Sequence, residues 1–431
     1  PRSSSTACAF LSRISARAAM SRTVPAAAAI CACERFSTPG SPGAIPVVAG
    51  AYDIRNLATR GTVTDTYFGT SVADPYRWME DVDAPQTTAW VKAEGDLTRS
   101  YLDAIPQRGA IRDAYRKLFD YEKLGAPYRE GKRWFYTRNS GLQNQDVIYV
   151  RESETAPARV LLDPNKLAAD GTVALAGTSF THDGKYMAYA TQSSGADWQT
   201  WRVKDVATGN DLSDKLEWSK FSGATWVGDR GFYYAAYDKP RNGNATLSAL
   251  GVHKAYFHKL GTPQAADKLV YASTAHPDQF VGLASSEDEK YYFFYTSKGD
   301  GNSLAWKRRG EPDSAFRNVF ALDPTVHYNV VGDDGNRLYV ETNAGAPRNR
   351  LAWFDVTDPS HALHDIAPQS ADKLEGVSVI GDKFYLEYLH DAHSVTRIVD
   401  LQGRPAGAIE LPGIGSGGLP NAWREDRIAY Y

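Results

Sequence analysis

The chain has 431 residues, 42% hydrophobic and 23% charged, with a formal net charge of −3. Those proportions exclude a disordered or collagen-like chain, and so small a charge gives no general attraction to nucleic acid or anionic lipid. No run approaches 18 consecutive apolar residues, so no membrane-spanning helix is expected, while 12% aromatics favour a large β component.

Residues 1–33 carry Arg2, Arg13, Arg17 and Arg22, no acidic residue, and many Ala and Ser. In composition they match a targeting peptide, the alternative being sequence upstream of the true start. The expectation is a soluble, cytoplasmic protein, or a periplasmic one if Met20–Cys33 is a signal. All three cysteines (Cys8, Cys31 and Cys33) lie in this tail. The rest of the chain therefore has no disulfide, thiolate nucleophile or Cys-based zinc site. Residues 1–61 read as a low-complexity tail or linker, and residues 62–124 as a helical segment.

From Pro85, which suits a first helical turn, apolar residues recur at helical spacing: Trp90, Ala93, Leu97 and Tyr101. Ile111, Ala114, Tyr115, Leu118 and Phe119 repeat the pattern. Both runs predict amphipathic helices, each with a face that needs a partner. Pro106 and Gly109 punctuate the gap between them.

From residue 125 to 431 the helical period gives way to a repeated unit, a turn with a basic residue followed by an aromatic and aliphatic strand. Asp183-Gly184-Lys185-Tyr186-Met187-Ala188-Tyr189 and Gly335-Asn336-Arg337-Leu338-Tyr339-Val340 are two copies. The basic residues fall at 132, 185, 230, 290, 337, 383 and 427, spacings of 44 to 60 residues. Short-strand repeats of about 40–50 residues are the mark of propeller blades. The runs are nearly continuous in apolar residues, as strands buried on both faces require. Seven marks predict a mainly β fold, a seven-bladed β-propeller with its seventh blade incomplete.

No Gly-x-Ser-x-Gly elbow, phosphate-binding Gly-rich loop or His-Glu-x-x-His occurs. His390-Asp391-Ala392-His393 could meet a metal on a helix but reads as a hairpin loop after a strand. Glu80-Asp81 and Asp333-Asp334 read as solvated acid pairs. No catalytic or metal-binding residue is assigned, and no cofactor is expected.

Asp74-Pro75-Tyr76-Arg77-Trp78-Met79-Glu80-Asp81 resembles the N-terminal signature of prolyl oligopeptidases. Gly141-Leu142-Gln143-Asn144-Gln145, Leu162-Asp163-Pro164-Asn165, Ser194-Gly195-Ala196-Asp197-Trp198 and Tyr388-Leu389-His390-Asp391-Ala392 resemble further motifs of that family, in collinear order. The resemblance implies a serine endopeptidase that cuts short peptides after proline, with a propeller capping an α/β-hydrolase domain. On that pattern the helices of 62–124 belong to the hydrolase domain, whose catalytic Ser, Asp and His lie downstream of the propeller. The partners implied are short proline-containing peptides and that missing hydrolase domain, with no nucleic acid and no membrane. By the same resemblance Phe221, in Lys220-Phe221-Ser222, and Phe280 line the pocket for substrate residues upstream of the proline. Ser297, with Lys298 beside it, stands where some members carry a substrate-holding arginine. A blade-core role is the bland reading of Phe221. The chain is thus expected to be the N-terminal and propeller part of such a peptidase, inactive alone. The alternatives are a stand-alone propeller that binds peptides or proteins, and a related oligopeptidase preferring basic residues.

Overall fold

The computed structural model describes residues 58–240 and 251–431. Cys8, Cys31, Cys33 and the Met20–Cys33 segment lie outside the described residues. The chain divides into two compact units, one up to Thr98 and one from Arg99 to Tyr431.

In the first unit, Thr64–Tyr67 pairs antiparallel with Thr70–Ala73. The two-residue turn between them has positive φ at Phe68 and Gly69 (51° and 80°), the twist that suits a tight hairpin. Arg77 ties this hairpin to the following 3-10 turn, Arg77–Glu80. Its Nε meets Asp74 at 2.6 Å and its Nη2 meets Asp65. Thr87 Oγ1 donates to the Trp78 carbonyl at 3.1 Å, and the Trp78 and Trp90 rings meet edge to face at 6.4 Å. The Asp74–Asp81 motif is therefore a structural clasp.

Helix α1 is Pro85–Asp103 and helix α2 is Arg108–Phe119. Gly109, assigned to the gap by sequence, lies inside the first turn of α2. The apolar side chains of α2 are uncovered: Ile111 is 64% exposed, Tyr115 61% and Leu118 71%.

The second unit continues as six antiparallel blades, spanning 123–162, 173–219, 225–272, 280–320, 328–367 and 373–409. Each predicted basic turn up to Lys383 lies between the first and second strands of its blade, and the second strand is the buried one. Gly231–Ala236 in blade 3 is buried at every position. An isolated bridge pairs Asn421 with Tyr430, so the seventh mark, Arg427, also lies between two paired segments.

The cores lie between consecutive blades. Phe135, Ile148 and Val150 of blade 1 pack with Met187 and Tyr189 of blade 2. Trp201 and Leu216 of blade 2 pack with Trp226, Phe232 and Tyr234 of blade 3. Tyr291 and Trp306 of blade 4 meet Leu338 and Phe354 of blade 5, and Tyr339 and Leu351 of blade 5 meet Phe384 and Leu386 of blade 6. Blades 2 and 3 share one continuous sheet through the pairing of Ser219 with Ala236.

The basic marks have a physical reason. Lys185 of blade 2 reaches Asp229 of blade 3 at 3.1 Å, and Lys290 of blade 4 donates to the Gly335 carbonyl of blade 5 at 2.6 Å. Arg133, next to the first mark, donates to the Gly184 carbonyl of blade 2 at 3.0 Å. These charges link three of the turns to the next blade.

His390 and His393 face each other across a two-residue turn, Asp391-Ala392. This is a hairpin, as the sequence predicts. Among the described residues no three His, Cys, Asp or Glu side chains are placed to hold a metal ion. No described helix is long and apolar enough to cross a membrane.

Candidate functional site

The blades have a turn end, where first and second strands meet, and an opposite end, where second strands pass to third. Each end carries a distinct group of side chains.

At the turn end, residues 421–427 cross between blades. Arg424 receives from the Gly381 amide of blade 6 at 2.9 Å, donates its own amide to Glu287 of blade 4 at 2.7 Å, and donates through Nη1 to the Asp333 carbonyl of blade 5. Trp423 donates to the Arg129 carbonyl of blade 1 and packs edge-on against His182 of blade 2 at 4.3 Å. Arg129 holds Asp426 at 2.6 Å and Glu425 at 2.9 Å. Beneath this strap is a cavity of about 460 Å³, lined by His182, Glu287, Asp288, Asp333, Arg424 and Glu425 among others.

Carboxylates dominate this mouth. Burial pushes Glu130 up to about 8, against the pull of Arg129 and with help from Glu287 and Asp426. Burial also raises Glu287 and Asp333. Asp333, read as solvated from sequence, is therefore half-buried. It ends an inner strand facing the cavity, and alternation alone could not show that.

At the opposite end an aromatic cluster forms. Phe221 lies on the connection from blade 2 to blade 3, Phe280 opens the first strand of blade 4, and Ser297 faces Phe280 in register on the next strand. The rings of Phe221 and Phe280 meet edge to face at 5.4 Å. Lys298 is held by Asp278 at 2.6 Å. Phe221 is 48% exposed, so it is not a blade-core aromatic. Its φ is +53° and that of Trp218 is +62°, a costly region for bulky side chains that recurs at functional sites. Lys220 Nζ lies over the rings of Trp198 and Phe221 at 5.3 and 5.2 Å, and pairs with Asp197 at 3.2 Å. The structure thus brings together the residues singled out in the sequence: Phe221, Phe280, Ser297 and Lys298.

Two buried histidines were not singled out. His253 receives the Val281 amide at Nδ1 and contacts the Lys220 carbonyl through Nε2, both at 3.0 Å. Burial pushes it down to about 4. His258 lies between Asp267 at 2.7 Å and Asp214 at 2.8 Å. Burial works against its charge, but the hydrogen bonds to Asp267 and Asp214 outweigh it, and its pKa is raised. With both nitrogens of each ring engaged, neither can serve as a general base.

The comparisons with known proteins decide the family. The family model described as prolyl oligopeptidase, N-terminal beta-propeller domain, matches residues 56–431. The chain belongs to the prolyl oligopeptidase family. A prolyl endopeptidase of Elizabethkingia meningoseptica is 35% identical over 370 residues, covering 85% of this chain and 52% of that protein. Prolyl oligopeptidase A of Amanita bisporigera is 34% identical over 352 residues, covering 74% of this chain and 45% of that protein. A structure of prolyl oligopeptidase B from Galerina marginata, bound to a 35mer hydrolysis and macrocyclization substrate, is 26% identical with a TM-score of 0.74; it covers 86% of this chain and 55% of that one. The chain spans about half the length of the curated relatives it matches.

As a member of this family, the protein should separate its stability from its aromatic cluster. Phe221→Ala is expected to cost under about 1 kcal/mol, because the ring is half in solvent. Phe232→Ala, which empties a fully buried position, should cost about 3–5 kcal/mol. Urea unfolding of the two variants checks this contrast.

Proposed function

We propose that this chain supplies the N-terminal helical segment, residues 62–124, and the propeller, residues 125–431, of a prolyl oligopeptidase. In this reading the propeller gates access for short proline-containing peptides, and Phe221 and Phe280 contact substrate residues upstream of the proline. The observation that carries it is the pair of aromatic rings at 5.4 Å, with Phe221 half in solvent ahead of blade 3 and Phe280 partly buried at the start of blade 4. An apolar surface open to solvent yet fixed in position suits an apolar peptide side chain. The uncovered face of α2 is where the hydrolase domain would pack. That domain would bring the Ser nucleophile and His base for acyl transfer at the Pro-X bond.

The test is a short fluorescent proline peptide offered to the purified 431-residue chain. Binding should weaken about tenfold in Phe221→Ala, the size expected for one apolar contact. The same chain should leave a Gly-Pro reporter intact, since its sequence has no Gly-x-Ser-x-Gly. Loss of a catalytic nucleophile and base removes on the order of 10⁶ in rate. Turnover blocked by a serine-directed inhibitor would overturn the assignment of roles.

A further inference from the structure

We propose that His253 is a positioning residue that sets the distance and attitude of the Phe221 and Phe280 rings. The proposal rests on the peptide-contact reading of those rings. His253 is 1% exposed and precedes the third strand of blade 3, Lys254–Lys259. Its Nδ1 accepts from the Val281 amide, so that nitrogen carries no proton. The proton is on Nε2, which donates to the Lys220 carbonyl.

Both partners are placed where they matter. The Lys220 carbonyl belongs to the peptide link that enters Phe221. The Val281 amide belongs to the link that leaves Phe280. One planar ring with two fixed nitrogens therefore spans the backbone beside both phenylalanines. Phe221 sits at a φ of +53°, which must be held from outside because its own backbone preference opposes it. The His253 bond to the preceding carbonyl is such a hold. The imidazole also packs edge-on against the Phe280 ring at 5.7 Å, and lies tilted against the Tyr237 ring at 4.7 Å. Further contacts fix the surrounding connection: Ser222 Oγ accepts from the Ala235 amide at 2.7 Å, and the Tyr237 amide donates to the Trp218 carbonyl at 2.9 Å. These keep the connection in place when the imidazole is changed, so the effect of His253 falls on the two rings.

The experiment uses the full chain with 4-fluorophenylalanine at position 221. In the unaltered chain the fluorine should show a ring-current shift that Phe280→Ala abolishes. His253→Phe, which keeps a flat ring without polar atoms, should abolish it too. His253→Gln, which can still donate to the Lys220 carbonyl, should restore part of it. In parallel, peptides with Phe or Ala upstream of the proline are compared for binding. The unaltered chain should prefer Phe about tenfold, and His253→Phe should bring the ratio close to one. Lost folding would weaken both peptides equally and leave the ratio alone.

An unmoved fluorine in His253→Phe overturns the assignment, as does a preference retained in His253→Phe but lost in Phe221→Ala. No preference in the unaltered chain overturns the peptide-contact reading instead, and the fluorine result still decides the role of His253. If His253→Phe does not fold, the ¹⁵N spectrum of the unaltered chain decides, because a proton on Nδ1 is incompatible with the proposed bonds.

Discussion

His258→Leu is expected to destabilise the protein by about 3–5 kcal/mol, the cost of removing one partner from a buried charged group. Here both imidazole nitrogens donate to carboxylates, at 2.7 Å to Asp267 and 2.8 Å to Asp214. Tyr234 also donates to Asp267 at 2.8 Å, and the Gly261 amide to Asp214 at 2.6 Å. Leucine would leave two carboxylates buried without the cation between them. Adding Asp214→Asn and Asp267→Asn to the leucine variant should recover part of the loss, because the stranded charges are then gone. The pH dependence has a definite sign. The folded pKa of His258 is raised. Its stabilisation is therefore full below the unfolded value of about 6.5 and is lost as pH rises through the folded value. The gap between unaltered chain and variant should be widest in mild acid and narrow toward alkaline pH. Urea midpoints measured across pH check both the size and the slope. A gap that widened with pH would show that the ring is buried neutral.

Gly184→Val should cost about 3 kcal/mol, from two causes acting together. Gly184 has a φ of +68°, a region that penalises a β-branched residue by roughly 1–2 kcal/mol. A Cβ there would also lie 2.4 Å from the Glu130 carbonyl oxygen of blade 1. That atom is backbone and cannot swing away, so the blade 1 and blade 2 turns must separate. Their separation breaks the bond from Arg133 to the Gly184 carbonyl and adds about 1–3 kcal/mol of overpacking. Gly345→Ala is the control. Its φ is +63°, but a Cβ there meets nothing within 4 Å, so only the backbone term of about 1 kcal/mol should remain. Equal melting shifts in the two variants would show that the contact between turns carries no energy.

Much of the fold was legible because each blade repeats one physical necessity. Its second strand is covered on both faces, and a run such as Phe232–Ala235 can be read directly as buried. The helices were legible for the same reason, their apolar spacing being explicit. The strap was not legible. Trp423 and Arg424 bond to backbone groups of three blades and to the Glu287 side chain of a fourth, and a backbone group has no sequence signature. Asp333 was misread because its place beside the Gly335 turn does not show what stands opposite it. His253 and His258 were passed over because their partners lie 28 to 44 residues away for the side-chain bonds with Val281 and Asp214. Phe221 and Phe280 came from resemblance alone. Nothing in their local pattern separates a half-exposed ring from a core one.

The shared sheet of blades 2 and 3 has a mechanical consequence. One bridging pair, Ser219 with Ala236, joins their sheets, and one aromatic core locks their facing sides. These two blades should open as one cooperative block, with their slowest-exchanging amides released together. The connection bearing Phe221 runs between these two blades, directly after the bridging residue Ser219. Breathing between neighbouring blades would therefore be borne at the other seams, where the sheets are separate. Phe280 belongs to blade 4, across the next seam, so the spacing of the aromatic pair should report movement between this block and blade 4.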